Sequence, residues 1–153
     1  MKVTFYAPSG KYYFDVWYPD GKIVTLGYPT NTSAQITYPI TKSVDAFGGY
    51  IDFTYLLDNN VYYVTEIKYG SNSTQYGAIK FTYQARSDVQ SSYIAVRLMK
   101  DSKLLSKIDT YYQSSMLLST YTLSYDTSIY SFLSKISLKS NGKEVNPRRY
   151  YYL

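Results

Sequence analysis

The feature that most constrains this chain is a repeated pair of strands. One strand type reads Ile23-Val-Thr-Leu-Gly-Tyr28, Tyr50-Ile-Asp-Phe-Thr-Tyr55, Ala78-Ile-Lys-Phe-Thr-Tyr83 and Thr120-Tyr-Thr-Leu-Ser-Tyr125. Its closing tyrosines fall 27, 28 and 42 residues apart. A second type follows each copy: Ile40-Thr-Lys-Ser-Val-Asp45, Val64-Thr-Glu-Ile-Lys-Tyr69, Leu105-Ser-Lys-Ile-Asp-Thr110 and Leu133-Ser-Lys-Ile-Ser-Leu138. The shared elements are an apolar residue, then Thr or Ser, then a charge in most copies, then Ile in most. Degenerate units therefore cover about residues 21–45, 50–69, 78–110 and 120–138. A strand pair this short cannot bury its own apolar face, so stacked neighbours must share one core.

The period within each strand is two, which is the signature of a pleated strand. In Tyr50 to Leu57, Ile51, Phe53 and Tyr55 take one face, and Tyr50, Asp52 and Thr54 the other. The same alternation puts Ile79, Phe81, Leu123 and Ile136 on the core side, so these residues, with Ile51 and Phe53, are expected to be buried. Turn chemistry separates the strands: Tyr18-Pro19-Asp20-Gly21, Ala46-Phe47-Gly48-Gly49, Asp58-Asn59-Asn60 and Asn141-Gly142. Ala34 to Tyr38 reads as a short strand ended by Pro39. Tyr93 to Met99 and Lys103 to Tyr112 read as strands turning at Lys100-Asp101-Ser102, against an alternative helix over Val96 to Ile108 that lacks capping residues. The expected fold is all-β. Antiparallel strand pairs stack as degenerate repeats into a curved sheet, a sandwich or a partial barrel, in one domain over 1–153.

Composition agrees. Tyrosine supplies 22 of 153 residues, and its flat ring packs on a pleated surface while its hydroxyl reaches a polar partner. The net charge of +5 is uneven: residues 97–153 hold nine basic and four acidic side chains, and the rest balance. The lysines are scattered, so a solvated surface is the expectation and nucleic acid is not an expected partner. No run approaches the 18 apolar residues of a spanning helix, and Met1 to Gly10 has no apolar h-region.

Familiar chemistry is missing. The chain has no His and no Cys, which removes Ser-His-Asp and Cys-His catalysis, disulfides and the usual zinc sites. Gly48-Gly49 precedes a strand, not a helix, and is no phosphate loop. Asp45 and Asp52 flank one hairpin, where a turn cap and a solvent face explain them better than a glycosidase pair. Asp58-Asn59-Asn60 lacks the spaced ligands of a calcium loop. The expectation is no enzyme, cofactor or metal. Tyr13, Trp17, Tyr50, Tyr62, Tyr111 and Tyr112 fall on or near the face opposite the inferred core, a candidate platform for stacking on sugars or a host protein.

The run Tyr38-Pro-Ile-Thr-Lys-Ser-Val-Asp-Ala-Phe-Gly-Gly-Tyr-Ile-Asp-Phe-Thr-Tyr55 resembles a recurring pattern of the YD-repeat and Rhs-like family. The relevant members are the SpvB and insecticidal toxin complex B-component type. Ile79 to Asp88, Leu104 to Ile108, Tyr121 to Asp126 and Phe132 to Ile136 continue the likeness over about residues 38–138, although Tyr125-Asp126 is the one literal YD pair. The resemblance implies a non-catalytic structural segment of a large secreted or surface bacterial protein, toxin-related, whose curved sheet forms a shell. The alternative is a carbohydrate- or host-protein-binding module using exposed tyrosines. Neither terminal strand looks capped. The expected partners are flanking segments of a longer chain, or a second copy through edge strands.

Overall fold

The computed structural model describes residues 1–27, 37–127 and 129–151. Their strands form one open antiparallel sheet of 11 strands whose spatial order is the chain order. They are β1 (Lys2–Tyr6), β2 (Tyr13–Trp17), β3 (Ile23–Gly27), β4 (Ile40–Val44), β5 (Gly49–Asp58), β6 (Val61–Ser71), β7 (Thr74–Ile94), β8 (Arg97–Tyr112), β9 (Met116–Thr127), β10 (Ser131–Ser140) and β11 (Lys143–Arg149). Of the architectures expected, the curved sheet is the one formed. The sheet does not close, and no second layer of described residues covers either face. The short strand expected at Ala34 to Tyr38, and the loop before it, lie largely outside the described residues.

The repeat is a repeat of register. Across the unit boundaries the third residue of one strand type meets the third of the other: Lys42 opposite Asp52, Glu66 opposite Lys80, Lys107 opposite Thr122. Within each of the later units the pairing has moved on by two residues, setting Asp52 opposite Lys68, Lys80 opposite Asp109 and Thr122 opposite Ser137. Each such unit is therefore offset from the last by two residues, about 7 Å along the strands. Lys135 meets Arg149 in the same frame, so the end of β11 stands where a further first-type strand would stand.

The turns follow their chemistry. Gly21 has φ of 84° and its N–H donates to the Tyr18 carbonyl at 3.1 Å. Asn59-Asn60, Asn72-Ser73 and Asn141-Gly142 make two-residue hairpins with positive φ throughout. At Gly77 a side chain would collide with the hydroxyl end of the Tyr69 ring, its cross-strand partner in the β6–β7 pair.

One expected hairpin is elsewhere. Lys100, Asp101 and Ser102 lie inside β8, and the chain turns at Ala95-Val96. Neither residue favours positive φ, so turn propensity points away from the true site. The helix alternative over Val96 to Ile108 is not formed: past the turn at Val96, Arg97 to Ile108 belong to β8, where cross-strand pairing with β7 dictates the extended chain.

Burial is thin. Val24, Tyr63 and Ala78 are the buried apolar residues among those described. The accessible surface is 10044 Å², where a compact chain of 17.7 kDa exposes roughly 8,000 Å². Phe53, Ile79, Phe81, Leu123 and Ile136 lie on one face as expected but are only half-buried. Ile51 is 41% exposed and corrects the expectation of burial. It shares a rung with Ser43, Tyr69 and Gly77, which offer little to cover it.

Candidate functional site

The sequence feature with the most geometry behind it is the joint between units. In β6, β8 and β10 the Thr or Ser after the opening apolar residue (Thr65, Ser106, Ser134) has no partner on the neighbouring first strand of its own unit. Each is a β-bulge, which breaks the ladder and bends the strand. Thr41 does the same in the first unit. The bulged hydroxyls turn back on the backbone: Thr41 Oγ1 donates to Gly27 O at 3.1 Å, Ser106 Oγ to Thr82 O at 3.0 Å, and Ser134 Oγ to Ser124 O at 3.1 Å.

The closing tyrosine of the next unit completes the joint. Tyr55 Oη donates to Ile40 O at 2.7 Å, Tyr83 Oη to Val64 O at 2.8 Å, and Tyr125 Oη to Leu105 O at 2.7 Å. Each acceptor is the residue that opens the second strand of the preceding unit. The ladders between units end at Lys42–Asp52, Glu66–Lys80 and Lys107–Thr122, so the hydroxyl bridges strands that have already parted. Burial pushes all three phenols above their ordinary value, with Tyr63 adding to the effect at Tyr83 and Arg86 opposing it at Tyr125. The recurrence of these tyrosines was visible in the sequence. Their reach across a unit boundary was not, because it depends on bulges that alternation alone does not reveal.

A second polar cluster spans the break in the β7–β8 ladder between Ala85 and Gln90. Arg86 grips Asp88 with two N–H groups at 3.1 Å and Asp101 at 2.7 Å. Asp88 also accepts from the Ser131 N–H at the start of β10. Tyr63 Oη donates to Asp101 and accepts from the Ser102 N–H, and Asp58 takes Ser102 Oγ and Lys103 Nζ. The cluster ties the β5–β6, β7–β8 and β9–β10 ends together. The Arg86 bond and then Ser131 hold the Asp88 carboxyl far below the usual carboxylate range, and Ser102 and Lys103 lower Asp58. On the same polar face Asp109 is buried. Burial alone would raise its carboxyl, but Lys107 and the Thr120 hydroxyl outweigh that and hold it low.

The six aromatic residues singled out from the sequence do not share one surface. Trp17 and Tyr50 occupy the polar face with Asp52 and Lys68, and register puts Tyr13 and Tyr111 there too. Tyr62 and Tyr112 lie on the opposite, apolar face. For Tyr62 the cause is the Thr65 bulge, which inverts the alternation read back from Ile67. Tyr111 is half-buried under Lys80 Nζ, 4.8 Å from its ring centroid. Tyr13 stacks on Tyr6 with centroids 4.7 Å apart. Trp17 remains 40% exposed. Asp45 and Asp52 do not converge: Asp45 accepts from the Phe47 and Gly49 N–H groups in its turn, and Asp52 pairs with Lys42. Among the described residues no cluster of acidic side chains fit for a metal ion occurs.

Lys22, Asp45, Tyr50, Tyr69 and Tyr76 are among the residues lining a shallow groove of about 350 Å³. It is open to solvent.

No family model and no curated protein sequence matches the chain. Solved structures do. The N-terminal domain of the effector protein SpvB from Salmonella typhimurium strain LT2 superposes with a TM-score of 0.76 at 14% identity, over 90% of this chain and 64% of that domain. The TcdB2-TccC3-Cdc42 crystal structure gives 0.76 at 17% identity over 95% of this chain and 11% of its own. The Photorhabdus luminescens Tc holotoxin pore gives 0.76 at 17% over 98% and 11%. The chain thus spans under two thirds of the SpvB domain and about a tenth of the toxin chains. At such identities the likeness is one of fold, and in fold this chain is of the SpvB and Tc-toxin type expected of a YD/Rhs-like region.

Proposed function

We propose that the chain is a structural, non-catalytic segment of a toxin-related YD/Rhs-like shell, secreted or at the bacterial surface. The observation that carries this reading is the repeated joint: four units held together at three boundaries by the same bulge and the same tyrosine. A device that only positions the next unit suits a wall. The half-covered apolar face, with Phe5, Ile51, Tyr69 and Met116 at its surface, is the kind that a neighbouring part of an assembly covers. The partners in this reading are flanking segments of the same chain, or a second copy, added at the outer edges of β1 and β11.

Solution behaviour tests it. The isolated chain should bind a hydrophobic dye in its folded state and self-associate as concentration rises, seen by light scattering. A dye-silent monomer at every concentration and salt would overturn the shell reading. The binding-module alternative then takes over, with Trp17 fluorescence against a glycan panel as its assay.

A further inference from the structure

The β7–β8 hairpin breaks the turn rule that every other two-residue hairpin of the described chain obeys. Its turn residues are Ala95 and Val96 at φ of 47° and 66°, where the others use Asn first and Asn, Ser or Gly second. A β-branched residue at positive φ is a genuine strain. Val96 is also 97% exposed, so no packing within the described chain compensates. Such local inconsistency marks sites kept for a reason other than stability.

The surroundings say what the tip meets. Tyr93 is 73% exposed and Ile94 is exposed beside it, so the apex is apolar on both faces of the ribbon. Arg97 lies opposite Ile94 and Lys100 opposite Ser91, one on each face. Neither has a carboxylate in ion-pair range among the described residues. From Val89 to Lys100 the hairpin carries these two cations and no acid. The shaft is held firmly: Lys100 N–H donates to Asn59 O, Asn60 Nδ2 to Leu98 O, and Arg86 locks Asp101.

We propose that this tip is a docking element for an anionic lipid surface. Val96, Ile94 and Tyr93 enter the boundary between headgroups and acyl chains, a layer about 5–10 Å deep. Lys100, four residues and about 13 Å behind the apex, then meets the phosphate level. The insertion is interfacial and spans nothing, since the backbone of β8 beyond Leu98 is already bonded to the β5–β6 turn. An acidic protein would need a socket shaped to the apex. A bilayer offers apolar depth and negative charge at any orientation. This inference does not depend on the shell reading.

Vesicle co-sedimentation tests it, using phosphatidylcholine with and without phosphatidylserine. The chain should bind the phosphatidylserine vesicles, weakly or not at all the neutral ones, and less as salt rises. Ala95→Asn/Val96→Gly restores a favoured turn, so its Tm should rise while binding falls on the order of tenfold. Arg97→Gln/Lys100→Gln should lower binding roughly thirtyfold. No binding to phosphatidylserine vesicles overturns the proposal and leaves a protein socket as the occupant. Unchanged binding by the folded Asn-Gly variant places the contact elsewhere and overturns it equally.

Discussion

Tyr83 shows what one side chain contributes here. Its ring packs edge-on against Tyr63, with centroids 5.3 Å apart, and its hydroxyl satisfies Val64 O. Tyr83→Phe keeps the ring and removes the bond, so the expected loss is about 1 kcal/mol by denaturant titration. Tyr55→Phe and Tyr125→Phe should each cost about as much, and the three should nearly add, because they sit at separate joints. Titration gives a second check. The three phenols are raised in the folded chain, so their stabilisation is complete below the ordinary tyrosine value of 10.0 and is lost as pH climbs through the folded value. Asp58, Asp88 and Asp109 are lowered, so theirs is complete above 3.8 and is lost as pH falls from there. Thermal melts should therefore weaken below about pH 4 and again above about pH 10, with a plateau between. A melt that holds steady to pH 12 would show that the tyrosine hydroxyls do not bridge the units.

At the scale of elements, much was readable and some was not. Alternation placed Phe53, Ile79 and Phe81 on a common face, because period two survives wherever the ladder is regular. It failed at Tyr62, where an extra residue in β6 flips the count. It failed at Ala95-Val96, where the turn contradicts its own residues. Burial was overestimated at Ile51, since alternation tells which face a residue takes and not whether anything covers that face. The Arg86 cluster left no trace in the sequence, as its members come from β5, β6, β7, β8 and β10. It replaces the missing rungs between Ala85 and Gln90, and Arg86→Leu should free the hairpin beyond. Limited proteolysis should then cut between Val89 and Arg97 well before the rest of the sheet. Equal resistance in the variant would mean that Asn59 and Asn60 hold the shaft alone.

For the molecule as a whole, the telling feature is that spatial order equals chain order. The widest rung joins Gly77 to Tyr112, within one hairpin, and no strand has to be threaded between two others. Every rung of the described sheet joins strands that are consecutive in the chain. Such a sheet has no assembly instructions beyond the order of synthesis. A chain emerging from a ribosome, or from a narrow conduit after being drawn out straight, can lay down each strand against the one just laid. At no stage does a finished strand wait for a partner that arrives much later.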